Sequence, residues 1–177
     1  MPNSTEVIRE HLQNLIAAEK AFEERLREFA TEGDDEEVQL TFADHADETH
    51  LHLDRLRGRL AELGSTESSE KSALSRILGL APRLAEASAT PEERLVQNLI
   101  TAFCVETGEC AMYEALASAA RACGDRITED LARNIQAEER RAAEKIFHFL
   151  PSRSKIAFNV LTAGEIDPAV ETKVGIT

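Results

Sequence analysis

The chain has 177 residues and a formal net charge of −13, with 33 acidic side chains against 20 basic ones. This acidic excess argues against nucleic acid or an anionic membrane as a partner. The sequence is rich in Ala, Leu, Glu and Arg and contains no Trp and one Tyr, a composition that favours an all-helical domain.

The first part of the sequence predicts two helices. Asn3 and Glu6 form the pattern of a capping box, and apolar residues at helical spacing follow up to Phe29. This predicts a first helix over residues 4–31. A second helix is expected from the acidic run at 34–37 to Gly64, because negative charge favours a helix start and glycine a helix end. The short link between them predicts an antiparallel hairpin.

The middle of the sequence predicts a crossover and then a second hairpin. A serine-rich break at 65–69 precedes a short helical segment at 72–81. Thr90 followed by Pro91 and Glu93 is a strong start signal, because it combines a cap, a first-turn proline and a capping-box glutamate. Helix three is expected to run to Cys123, and helix four from there to Pro151.

Two hairpins joined by a long crossover predict an all-α fold, a four-helix bundle of the ferritin-like arrangement. We expect this bundle to occupy residues 1–150, with a tail at 151–177 that contains a short helix over 156–161. The sequence begins with no signal peptide and contains no apolar run long enough to span a bilayer. The three cysteines suit small core positions in a reducing compartment, so a cytoplasmic protein is expected.

Ionisable residues lie on or beside the apolar stripes of all four predicted helices. Burying a charge is costly unless it is paired, so inward carboxylates and imidazoles at one depth indicate bound cations. Oxygen and nitrogen ligands without thiolates suit two iron ions, or manganese, better than copper. A polar layer neutralised by Arg25, Arg55 or Lys145, without a cofactor, is the alternative. The seven residues are Glu19, His45, Glu48, His52, Glu106, Glu109 and Glu138.

Tyr113 lies one turn beyond Glu109 on the same face of helix three. We interpret it as a core tyrosine hydrogen-bonded to a carboxylate, with a redox role as the alternative.

Helix two reads His45-Ala-Asp-Glu48-Thr-His-Leu-His52-Leu-Asp-Arg55-Leu. This resembles the His-x-x-Glu-Thr-x-x-His-x-x-Arg-Leu pattern of the YciF-like branch of the ferritin-like superfamily. The resemblance extends to Ala18-Glu19, to Glu106 and Glu109, and to Glu138-Glu139. It implies a di-metal carboxylate centre, a homodimer and an association with stress responses.

By this resemblance, six residues would be metal ligands: Glu19, Glu48, His52, Glu106, Glu109 and Glu138. His45 would be a further ligand or would hydrogen-bond a ligating group, and the position of Tyr113 on helix three, apart from the resemblance, makes it a candidate for the same two roles. The sequence departs from the family pattern at Thr107-Gly108, where a His-Tyr pair is expected, and at Ala143, where an acidic residue is expected.

The back face of helix three carries small residues, among them Cys104, Gly108, Ala111 and Ala115. A helix that is apolar nearly all round must bury two sides. We therefore expect a symmetric homodimer through this face, or cover by the crossover and tail.

The leading functional hypothesis is a di-iron protein that oxidises Fe(II) or reacts with O₂ or peroxide in a stress response. The alternative is a non-catalytic stress or interaction protein that retains the bundle without functional metal. The departures at Thr107-Gly108 and Ala143 motivate this alternative.

Overall fold

The computed structural model describes residues 3–67 and 90–163, which form helices and turns without any strand. Four helices follow one another in these two described ranges. They are α1 (Ser4–Phe29), α2 (Glu36–Glu62), α3 (Pro91–Cys123) and α4 (Arg126–Thr162). The predicted all-α, ferritin-like four-helix bundle is confirmed. The predicted short helix at 72–81 and the residues beyond 163 lie outside the described residues.

The helix starts follow the capping signals of the sequence. The Asn3 side chain accepts from the Glu6 N–H, and the Glu6 carboxylate accepts in turn from the Asn3 N–H, which completes the capping box. The Thr90 hydroxyl accepts from the Glu93 N–H directly before Pro91. At the other end of α3, Gly124 has φ of 78°, a backbone conformation that favours glycine and reverses the chain into α4.

The prediction that helix four ends at Pro151 is wrong, because α4 continues through the proline to Thr162. The domain boundary expected at 150 and the separate helix at 156–161 both fall inside this one helix. Proline removes one backbone hydrogen bond, but a helix can continue through it where side-chain contacts beyond the proline stabilise the helix. Here the Arg153 guanidinium binds the Asp35 carboxylate at 2.8 Å and lies 4.9 Å from the centre of the Phe149 ring.

The bundle is built from two hairpins, since α1 packs mainly on α2 and α3 mainly on α4. Contacts between the hairpins are densest between α1 and α3 and sparse between α2 and α4. No helix in residues 3–67 and 90–163 is both long and apolar enough to cross a membrane.

Two apolar clusters fill the interior at different depths. In α1 the first cluster takes residues between Ile8 and Ile16, and the second takes residues between Phe22 and Phe29. The other three helices divide in the same way. The buried positions between the two clusters carry polar side chains, which we call the polar layer: Glu19, His45, Thr49, His52, Glu106, Glu109 and Glu139.

Candidate metal centre

The polar layer brings four carboxylates and two imidazoles into the dry interior. Glu19, Glu106, Glu109 and Glu139 are each 0% exposed, and they come from α1, α3, α3 and α4. His45 and His52 reach the same layer from α2 because seven residues are close to two helical turns. All four helices therefore contribute to one polar region.

One group of potential ligands consists of Glu19, His52 and Glu139, whose ligand atoms lie within 4.8 Å of one another. His52 Nδ1 lies 2.8 Å from a Glu139 oxygen and 3.6 Å from a Glu19 oxygen. The hydroxyl of Tyr113 donates a hydrogen bond to the other Glu19 oxygen. This contact fixes the orientation of the Glu19 carboxylate and agrees with the interpretation of Tyr113 as a core tyrosine bonded to a carboxylate.

A second group consists of His45, Glu106 and Glu139. His45 Nε2 lies 2.5 Å from a Glu106 oxygen and 3.7 Å from the second oxygen of Glu139. The two carboxylate oxygens of Glu139 thus face different histidines. Glu139 is the residue that the two buried groups share.

A third group lies nearer the surface and consists of Glu48, His52 and Glu138. The Glu48 side chain is 43% exposed and that of Glu138 is 24% exposed. Arg55 binds the Glu138 carboxylate at 2.6 Å, and His52 Nε2 contacts the same oxygen at 3.0 Å. Glu138 therefore already has an arginine partner, whereas the nearest basic groups of the buried carboxylates are histidines.

Buried polar atoms without a hydrogen-bond partner indicate whether the polar layer could bind a metal ion. Both oxygens of Glu106, Glu109 and Glu139 are buried without a hydrogen-bond partner. Within the described residues no lysine or arginine is ion-paired with any of the four buried carboxylates: Arg25 pairs with Glu28, and Arg55 reaches only Glu138. Several carboxylate oxygens thus converge with only the ring nitrogens of His45 and His52 close to them, and such a set of oxygen and nitrogen ligands is one that metal ions satisfy.

The electrostatics of the layer favour bound protons when no metal is present. Burial raises the pKa of Glu106 to about 8, and it raises those of Glu19 and Glu139 to about 7. Burial also raises the pKa of Glu109, with further repulsion from Glu19 and Glu139. For His52, burial opposes the charge, but the contacts with Glu139 and Glu19 outweigh it and raise the pKa to about 10.

A cavity of about 140 Å³ lies between α2 and α4, where the helices make few contacts. His45 and Glu48 line it from α2, and Arg141 and Lys145 line it from α4. Since His45 also contacts Glu106 in the polar layer, this cavity borders one ligand group.

The structure brings together most of the residues singled out in the sequence. Glu19, His45, His52 and Glu106 lie in the two buried groups, while Glu48 and Glu138 lie in the outer one. Glu109 is buried with its oxygens unpaired but belongs to none of the three groups.

Glu139 is the best-placed ligand on α4, because it belongs to both buried groups. The sequence had predicted that its neighbour Glu138 would point inward. Leu131, seven residues before Glu138 and so on the same side of the helix, is only half-buried, whereas Ala132, Gln136 and Glu139 are buried. Ile135 and Ala142 are buried on the same face, but alanine and glutamine give little hydrophobic signal, so the centre of this face was placed towards Glu138 instead of Glu139. The two adjacent glutamates, Glu138 and Glu139, were the feature of the sequence that could have indicated this ligand position.

The sequence matches, over residues 3–158, the model of a family described as a domain of unknown function, DUF892. Comparison with curated proteins gave no match. Among solved structures, the E. coli stress protein YciF aligns with a TM-score of 0.79 and 23% identity, over 88% of this chain and 99% of that chain.

Two more distant structures share the fold. A dodecameric thioferritin of Bacteroides fragilis aligns with a TM-score of 0.64 and 18% identity, over 86% of this chain and 89% of that one. A Dps protein of Vibrio cholerae O1, described as a member of a broad superfamily of ferritin-like di-iron carboxylate proteins, aligns with a TM-score of 0.59 and 16% identity, over 83% and 91%. With a family match over residues 3–158, this chain belongs to the DUF892 family, and it shares the ferritin-like bundle fold of YciF.

Proposed function

We propose that the protein is a di-metal carboxylate protein that holds two iron ions, or manganese, and oxidises Fe(II) or reacts with O₂ or peroxide in a stress response. The observation that carries this proposal is the position of Glu139. Its two buried oxygens face two separate groups of ligands, one with Glu19 and His52 and the other with His45 and Glu106. A carboxylate shared in this way suits two ions held side by side.

Charge balance supports two divalent ions. Four buried carboxylates carry a charge of −4 when ionised, which two divalent cations cancel. Glu19, His52 and Glu139 would hold one ion, and His45, Glu106 and Glu139 the other, with Glu109 beside them. Bound iron would supply the redox electrons and the Lewis acidity for reaction with a small oxidant. The protein would orient the ligands, through Tyr113 and Glu19 for example, and exclude bulk water.

Metal content and oxygen reactivity test the proposal. Protein purified without chelator and reconstituted anaerobically with Fe(II) is expected to bind two irons per chain. Mixing this protein with oxygen in a stopped-flow instrument should give an absorbance transient that depends on the oxygen concentration. Less than one iron per chain, together with no oxygen-dependent transient, would contradict the proposal.

The alternative is a non-catalytic stress or interaction protein without functional metal. Arg55 bound to Glu138 favours it, because the outer carboxylate is neutralised by the protein itself. The raised pKa values of Glu106 and His52 likewise let protons take the place of a metal. If anaerobic reconstitution leaves the protein free of metal while the bundle stays folded, this second function is the correct one.

A homodimer through the back face of α3 remains part of the proposal. Cys104, Ala111 and Ala115 are exposed, and a side chain added at Gly108 would meet no atom within 4 Å. Self-association also occurs in this fold, since the Bacteroides protein is a dodecamer. Analytical ultracentrifugation should show a dimer that Ala111→Glu dissociates, and an unchanged sedimentation profile would argue against this face. A cytoplasmic location stays a prediction from the sequence.

A further inference from the structure

Thr49 is a buried side chain of the polar layer whose hydroxyl has no partner. It is 0% exposed, and its oxygen makes no hydrogen bond. Two other threonines in the described helices behave differently: Thr41 and Thr162 each donate to the carbonyl four residues earlier, at 2.9 Å. That bond is the usual way for a helical threonine to satisfy its hydroxyl. A buried donor left without an acceptor is unfavourable. The Thr49 hydroxyl is therefore available to donate a hydrogen bond to a bound group that is not part of the protein chain.

Thr49 lies between the two histidines on the inward face of α2. It follows His45 by four residues, a rise of about 6 Å, and precedes His52 by three, a rise of about 4.5 Å. Since each histidine belongs to a different ligand group, Thr49 is placed between the two groups on the α2 side. Glu139, which the groups share, takes the corresponding place on α4.

The chemistry of the neighbours decides what Thr49 can contact. The other unpaired groups of the layer are mostly carboxylate oxygens, on Glu19, Glu106, Glu109 and Glu139, and these will be occupied once cations are bound. Thr49 supplies a neutral O–H donor among these acceptors. A partner for it must therefore carry lone pairs, and it must be small, because apolar clusters close the layer at both ends.

We propose that the Thr49 hydroxyl donates a hydrogen bond to a small anion or peroxide bound between the two metal positions. The inference rests on the proposed function, because it needs ions in both ligand groups. Thr49 keeps its proton throughout and orients the ligand. The cavity of about 140 Å³ that His45 lines lies beside the layer, on the side from which such a ligand would enter.

Azide binding to the iron-loaded, oxidised protein tests this role without measuring turnover. The probe is azide, followed by its charge-transfer absorbance on ferric ions. Thr49→Val keeps the shape of the side chain and removes the donor, so it should weaken azide binding about ten-fold or more, the equivalent of one hydrogen bond to an anion. Thr49→Ser retains the hydroxyl and should bind azide like the wild type.

The metal-free forms provide the control for a structural role. Because Thr49 has no partner in the protein, metal-free Thr49→Val should melt at or above the temperature of the wild type. A lower melting temperature would overturn the inference, since the hydroxyl would then stabilise the fold itself. Equal azide affinity of wild type and Thr49→Val at equal iron content would also overturn it, and would leave the proposed function standing. A wild type that takes up no iron would overturn both.

Discussion

Glu138 and Glu139 are adjacent in the chain but have different environments. Glu138 is partly exposed and bound by Arg55, whereas Glu139 is fully buried and its two oxygens face His52 and His45. Glu139→Gln replaces the shared carboxylate by an amide of the same shape, and an amide is a poor ligand for iron. We expect the metal content to fall from two ions per chain to one or fewer, as measured by elemental analysis after dialysis.

Glu138→Gln is the matched control for this prediction. The same chemical change one residue earlier removes an outer carboxylate that already has a cationic partner. We expect it to keep both ions and to change metal affinity less than ten-fold. If Glu138→Gln loses metal while Glu139→Gln keeps it, the assignment of the inward face of α4 is incorrect.

Tyr113 influences the centre through Glu19, to which its hydroxyl donates a hydrogen bond. Tyr113→Phe leaves a buried carboxylate oxygen unpaired, which should destabilise the metal-free protein by about 1–2 kcal/mol. Loss of a partner of this kind should also weaken metal binding by about ten-fold or more. Urea denaturation and competition with a metal chelator measure the two effects. Unchanged values for both would show that the Glu19 carboxylate is oriented by something else.

At the scale of the helices, the sequence predicted what local chemistry determines. The Asn3 and Thr90 caps, Gly124 and the long apolar stripe of α1 each act within a few residues, and the structure shows them as expected. The end of α4 depends on a long-range contact of Arg153 with Asp35. A proline in the sequence gives no information about that contact, so the end of the helix was predicted too early.

The same distinction applies to the metal centre. Glu19, His52 and Glu106 could be found from the sequence because apolar neighbours define their faces. The face of α4 in this region is marked by Ala132, Gln136 and Ala143, which pack closely because they are small or hydrogen-bonded. Close packing of this kind depends on the partner helix. The role of Glu139 therefore became apparent only with α3 in place.

Pro151 offers a test of the continuous α4 helix. It is exposed, lacks the N–H that an ordinary residue would donate, and lies inside the helix. Pro151→Ala restores that donor without removing any buried contact. We expect the free energy of unfolding in urea to rise by about 1–3 kcal/mol. A destabilised Pro151→Ala protein would contradict a continuous helix.

Arg153→Ala should lower the free energy of unfolding, because the ion pair with Asp35 and the contact with Phe149 are lost.

For the whole molecule, the buried acids link stability to pH. In the metal-free protein, burial holds the pKa of Glu19 and Glu139 at about 7 and that of Glu106 at about 8, against an ordinary value of 4.5. Between the ordinary pKa of 4.5 and the raised pKa of each group, the folded chain binds more protons than the unfolded chain. The free energy of unfolding must therefore fall as the pH rises through this range. Each group contributes up to about 1.4 kcal/mol per pH unit. His52 acts in the same direction above its ordinary pKa of 6.5.

Bound metal should reverse this trend, because metal ions compete with protons for the same oxygens. The metal-free protein is expected to melt at progressively lower temperature from pH 5 to pH 8, and the Mn²⁺-loaded protein at progressively higher temperature over the same range. Titration calorimetry in buffers of different ionisation enthalpy should show protons released on binding. In Glu139→Gln, which loses one of these acids, the metal-free slope should be shallower. Parallel pH profiles with and without metal would mean that the polar layer does not hold the ions.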